Sequence, residues 1–558
     1  MSWSPYRAER YLDYPAVEAW CRQLAQEFPA WVRLEEVGRT REERAIWLLQ
    51  IGGQQAQTDE GPSLWLDAGT HASEWTGISA ALYTVSRWIE RLRDGDETLA
   101  RWLGHQRILV MPCISPDGYQ ALHEGAPYLR SSLRPPKEGE SRVGLEPSDL
   151  DKDGVVRWMR WKHPSGPFVI DPTLPMWMRH RTLDDDPQDA FFFCSEGYFL
   201  NWDGVHWSAA PLRHGIDLNR NFPGHWMPTS MFGMDAGSYA LSEQESRAVV
   251  DTFARFPSIC GGLTFHTYTG CILTQPYRQD SPLKEDDIRL MEELAKDATQ
   301  GTDYRVIRVY PDFMYDPKRP TTGVWSDTMT VIFGVPGYTV EFWDPFKEAG
   351  IDLAQPAAFF RQPEPEKLRP VIEHFSQDPQ AVRPWEPFDH PQLGPVEIGG
   401  IDYMRTIRNP PEALLQRECD RGYRMAERLR KALPQIHLET RLHPEGELKH
   451  LQVILENRGF LPTSALQRGE DIGASPGVSV RLQMPESVRS LRSSLEQGLH
   501  HLDGWGQSRV NEARHQLYAS LPTRGQRDLA EWWLHGTGEI TVHWIAGRAG
   551  RGQMKISI

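Results

Sequence analysis

The sequence has few cysteines, and their spacing excludes a disulfide scaffold or a cysteine-rich metal site. The six residues lie far apart, several in apolar segments, and no two form a Cys-x-x-Cys pair. We interpret them as reduced core thiols, which favours an intracellular setting. They are Cys21, Cys113, Cys194, Cys260, Cys271 and Cys419.

The sequence also lacks an excess of positive charge and any long hydrophobic run. It has 61 basic and 76 acidic residues, a formal charge of −15, which argues against a surface for nucleic acid or anionic membranes. No segment is apolar for long enough to span a bilayer, and the first residues do not form a secretory signal. We expect a cytoplasmic protein with no nucleic-acid or membrane partner, of undetermined oligomeric state.

The chain length of 558 residues predicts at least two domains. In residues 1–433, apolar runs of strand length alternate with helical patterns, which predicts an α/β domain with a mixed open sheet flanked by helices. This part contains an irregular insertion at about 135–213 and a proline-rich, then helical extension at about 363–433. Short strand-like runs in residues 434–558 predict a small antiparallel β-sandwich.

The apolar patterns place individual elements along the chain. We predict strands at 32–37, 45–51, 63–66, 107–114, 261–268, 304–310 and 337–343. Helices are predicted at 14–28, 78–92, 242–255 and 414–433. In the sandwich, the predicted strands are 437–442, 451–456, 478–484, 540–545 and 554–558.

The corner between the strand at 63–66 and the next helix carries a His-x-x-Glu pair. His71 and Glu74 stand three residues apart, so one tight turn can aim both side chains at one metal ion. Such a pair alone equally fits an ordinary surface helix face. Downstream segments decide between the two interpretations.

Two further strands carry candidate partners for this pair. His266 lies at the end of the apolar strand at 261–268, where side chains emerge into the crevice of an open α/β sheet, and is the candidate third ligand. Glu341 lies in an otherwise apolar strand, where a lone carboxylate is costly to bury without a task. It is the candidate general base; the alternative is a structural carboxylate paired with an arginine.

A short segment at 215–223 combines Asp217, Asn219 and Arg220. An arginine and an amide together can hold a carboxylate, so we interpret this segment as a clamp for an anionic group. A capped surface turn is the alternative.

An acidic loop lies within the insertion. Asp149, Asp151, Asp153 and Gly154 match the opening of a calcium loop, but the twelfth position is Arg160 instead of a glutamate, so the loop is not an EF-hand. It is either a solvated acidic turn or a structural calcium site completed by a distant carboxylate.

The order of these segments resembles the zinc metallocarboxypeptidases of the carboxypeptidase A type, also called funnelins, over most of residues 11–343. The resemblance implies a carboxypeptidase-like (phosphorylase/hydrolase-like) α/β fold, here without a propeptide, and one zinc ion. It further implies these roles: zinc ligands His71, Glu74 and His266; catalytic glutamate Glu341; Arg130, polarising the scissile carbonyl; Asn219 and Arg220, binding the terminal carboxylate; and Asp217, orienting the first zinc histidine.

The sequence departs from the pancreatic members of that family at three places. Ser73 stands where they have an arginine, at a position that binds residues farther back in the substrate. Tyr315 is the candidate for their mobile covering tyrosine. The insertion at 135–213 is absent from them, and we expect it to shape the entrance of the funnel.

The expected function is zinc-dependent removal of C-terminal residues from peptides with a free carboxylate. Glu341 would serve as general base, and Arg130 would stabilise the oxyanion. One alternative is a zinc amidase or deacylase acting on N-acyl amino acids or cell-wall peptides. A second alternative is an inactive scaffold whose sandwich recruits a partner.

Overall fold

The structure is a computed structural model that describes residues 3–53, 61–135, 139, 141–316, 318–510 and 525–558. Within these ranges, no helix combines the length and the apolar composition needed to cross a bilayer.

The centre of the molecule is an eight-stranded sheet, whose mixed arrangement was predicted, although its strand Cys271–Thr274 was not. Its middle strands are buried along their whole length, which explains why they are continuous apolar runs. In spatial order the strands are Val32–Arg39, Ala45–Ile51, Arg107–Met111, Ser63–Ala68, Ile259–Thr267, Gly337–Phe342, Cys271–Thr274 and Arg305–Arg308.

The four strands from Arg107–Met111 to Gly337–Phe342 run parallel. Their carboxyl ends therefore meet at one edge of the sheet, which is where open α/β sheets bind ligands. This edge brings together the corner after Ala68, the end of the His266 strand and the end of the Glu341 strand.

The predicted helices are present with slightly different ends. The longer helices, of seven residues or more, are Tyr14–Glu27, Trp75–Arg93, Glu97–His105, Pro116–His123, Gln244–Ala254, Glu285–Thr299, Trp325–Val331, Leu368–Phe375 and Glu412–Lys431. The shorter ones are Val309–Asp312, Pro345–Glu348, Pro356–Arg361, Gln467–Asp471 and Gly506–Val510. The strand predicted at 304–310 was too long: it ends at Arg308 and a helical turn follows, because Pro311 offers no N–H to the sheet.

The insertion and the proline-rich extension form one structure, which the sequence did not predict. Their strands make a six-stranded antiparallel sheet, here called the rim sheet. Its order is Val382–His390, Gly394–Ile401, Trp158–Lys162, Phe191–Ser195, Phe168–Ile170 and Met178–His180. Two short antiparallel strand pairs accompany it: Gly144–Pro147 with Gly197–Leu200, and Ser230–Met231 with Met234–Asp235.

The C-terminal sandwich, residues 436–557, consists of two four-stranded antiparallel sheets. One contains Ile436–Glu445, Leu448–Asn457, Arg527–Gly536 and Val488–Ser490; the other contains Glu496–Leu499, Val478–Gln483, Glu539–Ala546 and Arg551–Ser557. The strands at 488–490, 496–499 and 527–536 were not predicted. The sheets enclose their own apolar core around Leu455, Val480 and Trp532.

Candidate active site

The corner after Ala68 is held by close contacts between backbones. Gly69 adopts a φ of +70°, a region that glycine enters without strain. A Cβ on Gly77 would lie 2.6 Å from the Phe265 carbonyl oxygen, so only glycine lets the helix Trp75–Arg93 approach the strand that carries His266. The corner and the neighbouring strand are thereby fixed against each other.

His71, Glu74 and His266 converge at this corner. The Nδ1 atoms of the two histidines lie 3.0 Å apart. Glu74 Oε1 lies 2.9 Å from His71 Nδ1, and Oε2 lies 2.8 Å from His266 Nδ1. All three side chains are buried. The structure therefore assembles the predicted set of ligands from two distant segments.

The outer nitrogen of each histidine has its own partner. His71 Nε2 lies 3.0 Å from Asp217 Oδ1, and His266 Nε2 lies 3.1 Å from the Thr264 hydroxyl. A partner on the outer nitrogen fixes the ring and leaves Nδ1 to face the other ligands. Asp217 thus lies where the predicted orienting role requires it.

Both carboxylates of the cluster are ionised. Burial opposes ionisation of Glu74, but the charges of His71, His266 and Arg130 hold its pKa well below the usual range. Burial likewise opposes ionisation of Asp217, and Arg130 and Arg220 lower its pKa well below the usual range. The cluster therefore presents negative charge to a bound cation.

Arg130 contacts both carboxylates. Its Nη1 lies 2.9 Å from Glu74 Oε1, and its Nε lies 3.4 Å from Asp217 Oδ2. Its backbone is fixed to the corner, because Ala72 N–H donates to the Arg130 carbonyl oxygen. A Cβ on Gly118 would lie 1.9 Å from the Ser131 carbonyl oxygen, so the glycine of the Pro-Asp-Gly turn is needed for this approach.

Glu341 lines the cavity beside the ligands and is the register partner of His266. Burial, and then the neighbouring Glu74 charge, raise the pKa of Glu341 to about 7. Among the described residues, no arginine or lysine nitrogen lies within 4.0 Å of its carboxylate. The structure therefore does not show the alternative role, a structural carboxylate paired with arginine.

The predicted clamp is only partly exposed to the cavity. Arg220 and Tyr315 line the cavity, with the Arg220 guanidinium carbon 5.9 Å from the Tyr315 ring centroid. In the described part of the chain, the guanidinium hydrogen-bonds only to the Asn219 carbonyl oxygen. Asn219 itself is buried, and its Oδ1 accepts from Trp325 N–H. Arg220 is thus the principal contact available to a ligand.

Sequence reasoning missed Arg408. Its guanidinium lines the same cavity, with Nη1 at 3.6 Å from Glu74 Oε1 and 3.4 Å from the Thr267 carbonyl oxygen. The residue belongs to the extension, beyond the segments that resemble the carboxypeptidases, and no motif or spacing in the sequence indicated its position.

These residues surround a cavity of about 560 Å³. Residues 154–158 of the insertion form part of its wall, together with 229–232 and 401–405. The expectation that the insertion shapes the entrance agrees with this lining.

The acidic loop at 149–153 lies beside that wall, and arginines balance its charge. Arg383 contacts Asp151 and Asp153, and Arg157 Nε lies 2.8 Å from Asp153 Oδ2. Asp149 accepts from Gly154 N–H. The arrangement supports the interpretation as an acidic turn, and a structural calcium is not supported.

The fold and site together define a metallopeptidase-like α/β protein. The family profile "Zinc carboxypeptidase" (Peptidase_M14) matches residues 17–373, and the chain belongs to this family. Residues 437–557 match a second profile, described as a domain of unknown function (DUF8731).

Relatives match parts of the chain. Carboxypeptidase B of Astacus astacus is 33% identical over 158 residues, 28% of this chain and 47% of that protein. Carboxypeptidase B of Bos taurus is 24% identical over 298 residues, 52% of this chain and 53% of that protein. The inactive metallocarboxypeptidase ECM14 of Saccharomyces cerevisiae is 29% identical over 110 residues, 20% of this chain and 25% of that protein.

The chain thus spans from a quarter to about half of the length of these relatives. Among solved structures, carboxypeptidase A from Helicoverpa armigera has 18% identity and a TM-score of 0.39, covering 66% of this chain and 74% of that chain.

Family membership implies zinc, and the residues present fit it. Two imidazoles and a carboxylate are ordinary ligands for a catalytic zinc ion. Their donor atoms lie 2.8–3.0 Å apart, close to the spacing of ligands that bind one zinc at about 2.0–2.1 Å. Glu74 of this set lines the cavity, so water or substrate can reach the ligands from it.

Proposed function

We propose that the protein is a zinc carboxypeptidase that hydrolyses the C-terminal bond of peptides. One observation carries the proposal: Glu74, which contacts His71 and His266, lines a single cavity together with the base Glu341 and the cation Arg220. Zinc, held by the three ligands, would lower the pKa of a bound water and polarise the substrate carbonyl.

The chain's own residues would perform the proton transfers and the positioning. Arg220 would hold the terminal carboxylate, which explains exopeptidase action. Glu341 would accept a proton from the attacking water as its oxygen bonds to the carbonyl carbon. Arg130 would donate to the oxyanion. Glu341 would then give the proton to the leaving amine as the C–N bond breaks.

Tyr315 has a supporting position in this proposal. Burial raises the pKa of Tyr315 to about 12, and the next contributor is the Glu341 charge. The phenol is therefore protonated, and it lines the same cavity as Glu341, so it can donate a hydrogen bond to a bound peptide. This placement supports its candidacy as the covering tyrosine.

The first test compares blocked dipeptides that differ only in a free or amidated C-terminus. We expect hydrolysis of the free acid alone in the wild type, and a loss of this discrimination with Arg220→Met. Arg305→Met is the matched control, since Arg305 lies outside the cavity and contacts Asp352. Equal rates of the wild-type protein on both substrates would refute the role of Arg220.

The second test is Glu341→Gln, which keeps the shape and removes the base. We expect zinc to stay bound and kcat to fall on the order of a thousandfold or more. Zinc content measured by mass spectrometry is the control.

The same experiments separate the rival functions. An amidase or deacylase would cleave N-acyl amino acids or cell-wall peptides faster than ordinary dipeptides. An inactive scaffold would hydrolyse none of them after zinc is added. The complete set of ligands and the presence of Glu341 favour an active enzyme.

The proposal assigns residues 1–433 to the catalytic domain and 434–558 to a second domain. The separate core of the C-terminal sandwich supports this division, although Phe460, Leu461 and Leu466 pack in the main core. A cytoplasmic location also belongs to the proposal. All six cysteines are free thiols, as expected in a reducing compartment, and cell fractionation tests the location.

A further inference from the structure

The segment that carries Arg408 is fixed to the metal-binding corner by its neighbour. Asn409 Nδ2 donates to the Ser73 carbonyl oxygen at 2.9 Å, and Asn409 Oδ1 accepts from Thr76 N–H at 3.0 Å. Residue 408 lies beyond the family match, which ends at 373. A segment outside the family profile therefore supplies a cation at the ligand corner.

The Arg408 guanidinium is buried among aromatic rings. Its carbon lies 5.1 Å from the ring centroid of Tyr268, 5.6 Å from that of Tyr128 and 5.9 Å from that of Tyr403. Rings at such distances attract a cation and hold it in place. The side chain is thus positioned before any ligand arrives.

This guanidinium is incompletely satisfied. Its hydrogen bonds to the Thr267 carbonyl and to the Tyr128 and Tyr403 hydroxyls are long, at 3.3–3.4 Å. Nε is buried and has no hydrogen-bond partner among the described residues. Glu74 lies 3.6 Å away, but both histidines and Arg130 share that carboxylate. A buried cation with unused donors gains most from a further oxygen ligand.

Arg408 and the clamp line one cavity, so a bound peptide can meet both. Arg220 contacts the Tyr315 ring, and Arg408 lies among Tyr128, Tyr268 and Tyr403 in the same cavity. A peptide whose terminal carboxylate binds Arg220 and whose scissile carbonyl lies at the ligands would place its preceding residue in the cavity that Arg408 lines. Arg130 is nearer to Glu74, at 2.9 Å against 3.6 Å, and is the better placed for the oxyanion.

We propose that Arg408 binds the residue before the scissile bond and selects an acidic side chain there. The inference rests on the proposed carboxypeptidase activity and adds a substrate class to it: peptides with Glu or Asp in the penultimate position. An acidic side chain would approach the guanidinium from the cavity and complete its hydrogen bonds.

Arg405 provides a matched control from the same segment. Its guanidinium also lines the cavity, but it contacts Asp402 at 3.3 Å and lies 5.2 Å from the Trp75 ring centroid. Its charge already has a carboxylate partner. Arg405→Met therefore removes one positive charge from the cavity and leaves Arg408, with its unused hydrogen-bond donors, in place.

The experiment uses blocked dipeptides with Glu, Gln, Ala or Lys before the same C-terminal residue. We measure kcat/KM with the zinc enzyme, and Kd by calorimetry with the zinc-loaded Glu341→Gln protein. We expect Glu to exceed Gln by about 10- to 100-fold in the wild type, the range of one charged hydrogen-bonded contact. The ratio of kcat/KM for the Glu peptide to that for the Gln peptide should approach one in Arg408→Met. It should be intermediate in Arg408→Lys and unchanged in Arg405→Met.

Each outcome bears on a different claim. If the wild type hydrolyses these peptides with equal Glu and Gln rates, the assignment of Arg408 is wrong, and no variant is needed to show it. If Arg405→Met loses the preference for the Glu peptide and Arg408→Met keeps it, Arg405 is the residue that selects the acidic side chain. If the enzyme neither hydrolyses nor binds any of these peptides, the proposed function itself fails.

Discussion

Replacing Glu245 with glutamine should abolish a pH-dependent loss of stability. Glu245 is buried in the first turn of the helix Gln244–Ala254, and neither carboxylate oxygen has a hydrogen-bond partner among the described residues. Burial, with a contribution from the nearby Glu243 and Asp117 charges, raises the pKa of Glu245 from 4.5 to about 7. The folded state therefore binds its proton more tightly than the unfolded state does.

The sign and size of the effect follow from this difference in pKa. Below about pH 4.5 the group is protonated in both states and burial carries no ionisation cost. As the pH rises to about 7, the unfolded state releases the proton first, so the free energy of unfolding falls. At 1.36 kcal/mol per pKa unit, the loss reaches roughly 3 kcal/mol above pH 7. Glu245→Gln has no proton to release.

The effect is measured by urea unfolding of the wild type and of Glu245→Gln at several pH values between 4.5 and 8. Tryptophan fluorescence reports the unfolding. We expect the stability of Glu245→Gln relative to wild type to rise by roughly 3 kcal/mol across this range. Glu285→Gln is the matched control: Glu285 also lies in the first turn of a helix, but it is exposed and paired with Arg289 at 3.2 Å, so its loss should change the stability little. A difference between Glu245→Gln and wild type that is constant with pH would refute the reasoning.

Two further predictions concern contacts that position other groups. Asp217→Ala should weaken zinc binding by about 10- to 100-fold, because it removes the partner of His71 Nε2; competition with a chelator measures this, and unchanged affinity would contradict it. Arg548→Met should loosen the C-terminal sandwich, because Arg548 donates to the Pro257, Ile259, Phe333 and Ala474 carbonyl oxygens. Faster amide exchange confined to residues near Arg548 is the expected result, and unchanged exchange there would show that these bonds do not hold the interface.

Seven of the eight strands of the main sheet could be predicted, because each of them carries its own signal, whereas the strand Cys271–Thr274 was not predicted. The run from Ile108 to Met111 is apolar throughout and the whole strand is buried, which is typical of a strand covered on both faces. The rim sheet gave no such signal. Its strand Val382–His390 contains two prolines and several charges and is partly exposed, and it pairs with the strand at 394–401, which in turn pairs with Trp158–Lys162. Pairing across such a separation depends on tertiary contacts that local composition does not encode.

The ligand cluster could be predicted for a related reason. His71 and Glu74 are close in the sequence, and His266 and Glu341 each end a strand, so the parallel arrangement of strands brings all four to one edge. Asn219 shows the limit of this reasoning, because its amide oxygen accepts from Trp325 N–H and its side chain is turned away from the cavity. A residue's position in a motif does not determine which way its side chain faces.

Ser73 and Arg408 show that a distant part of the chain can supply a charged side chain to the wall of the cavity. The Ser73 side chain is buried without a hydrogen-bond partner among the described residues, so it presents nothing to a substrate. Its carbonyl oxygen instead binds Asn409 from a segment more than three hundred residues away, and that bond places Arg408 beside Glu74. Because Asn409 sets the position of the cation, Asn409→Ala should reduce the Glu-over-Gln preference in the same direction as Arg408→Met, although the arginine itself is retained.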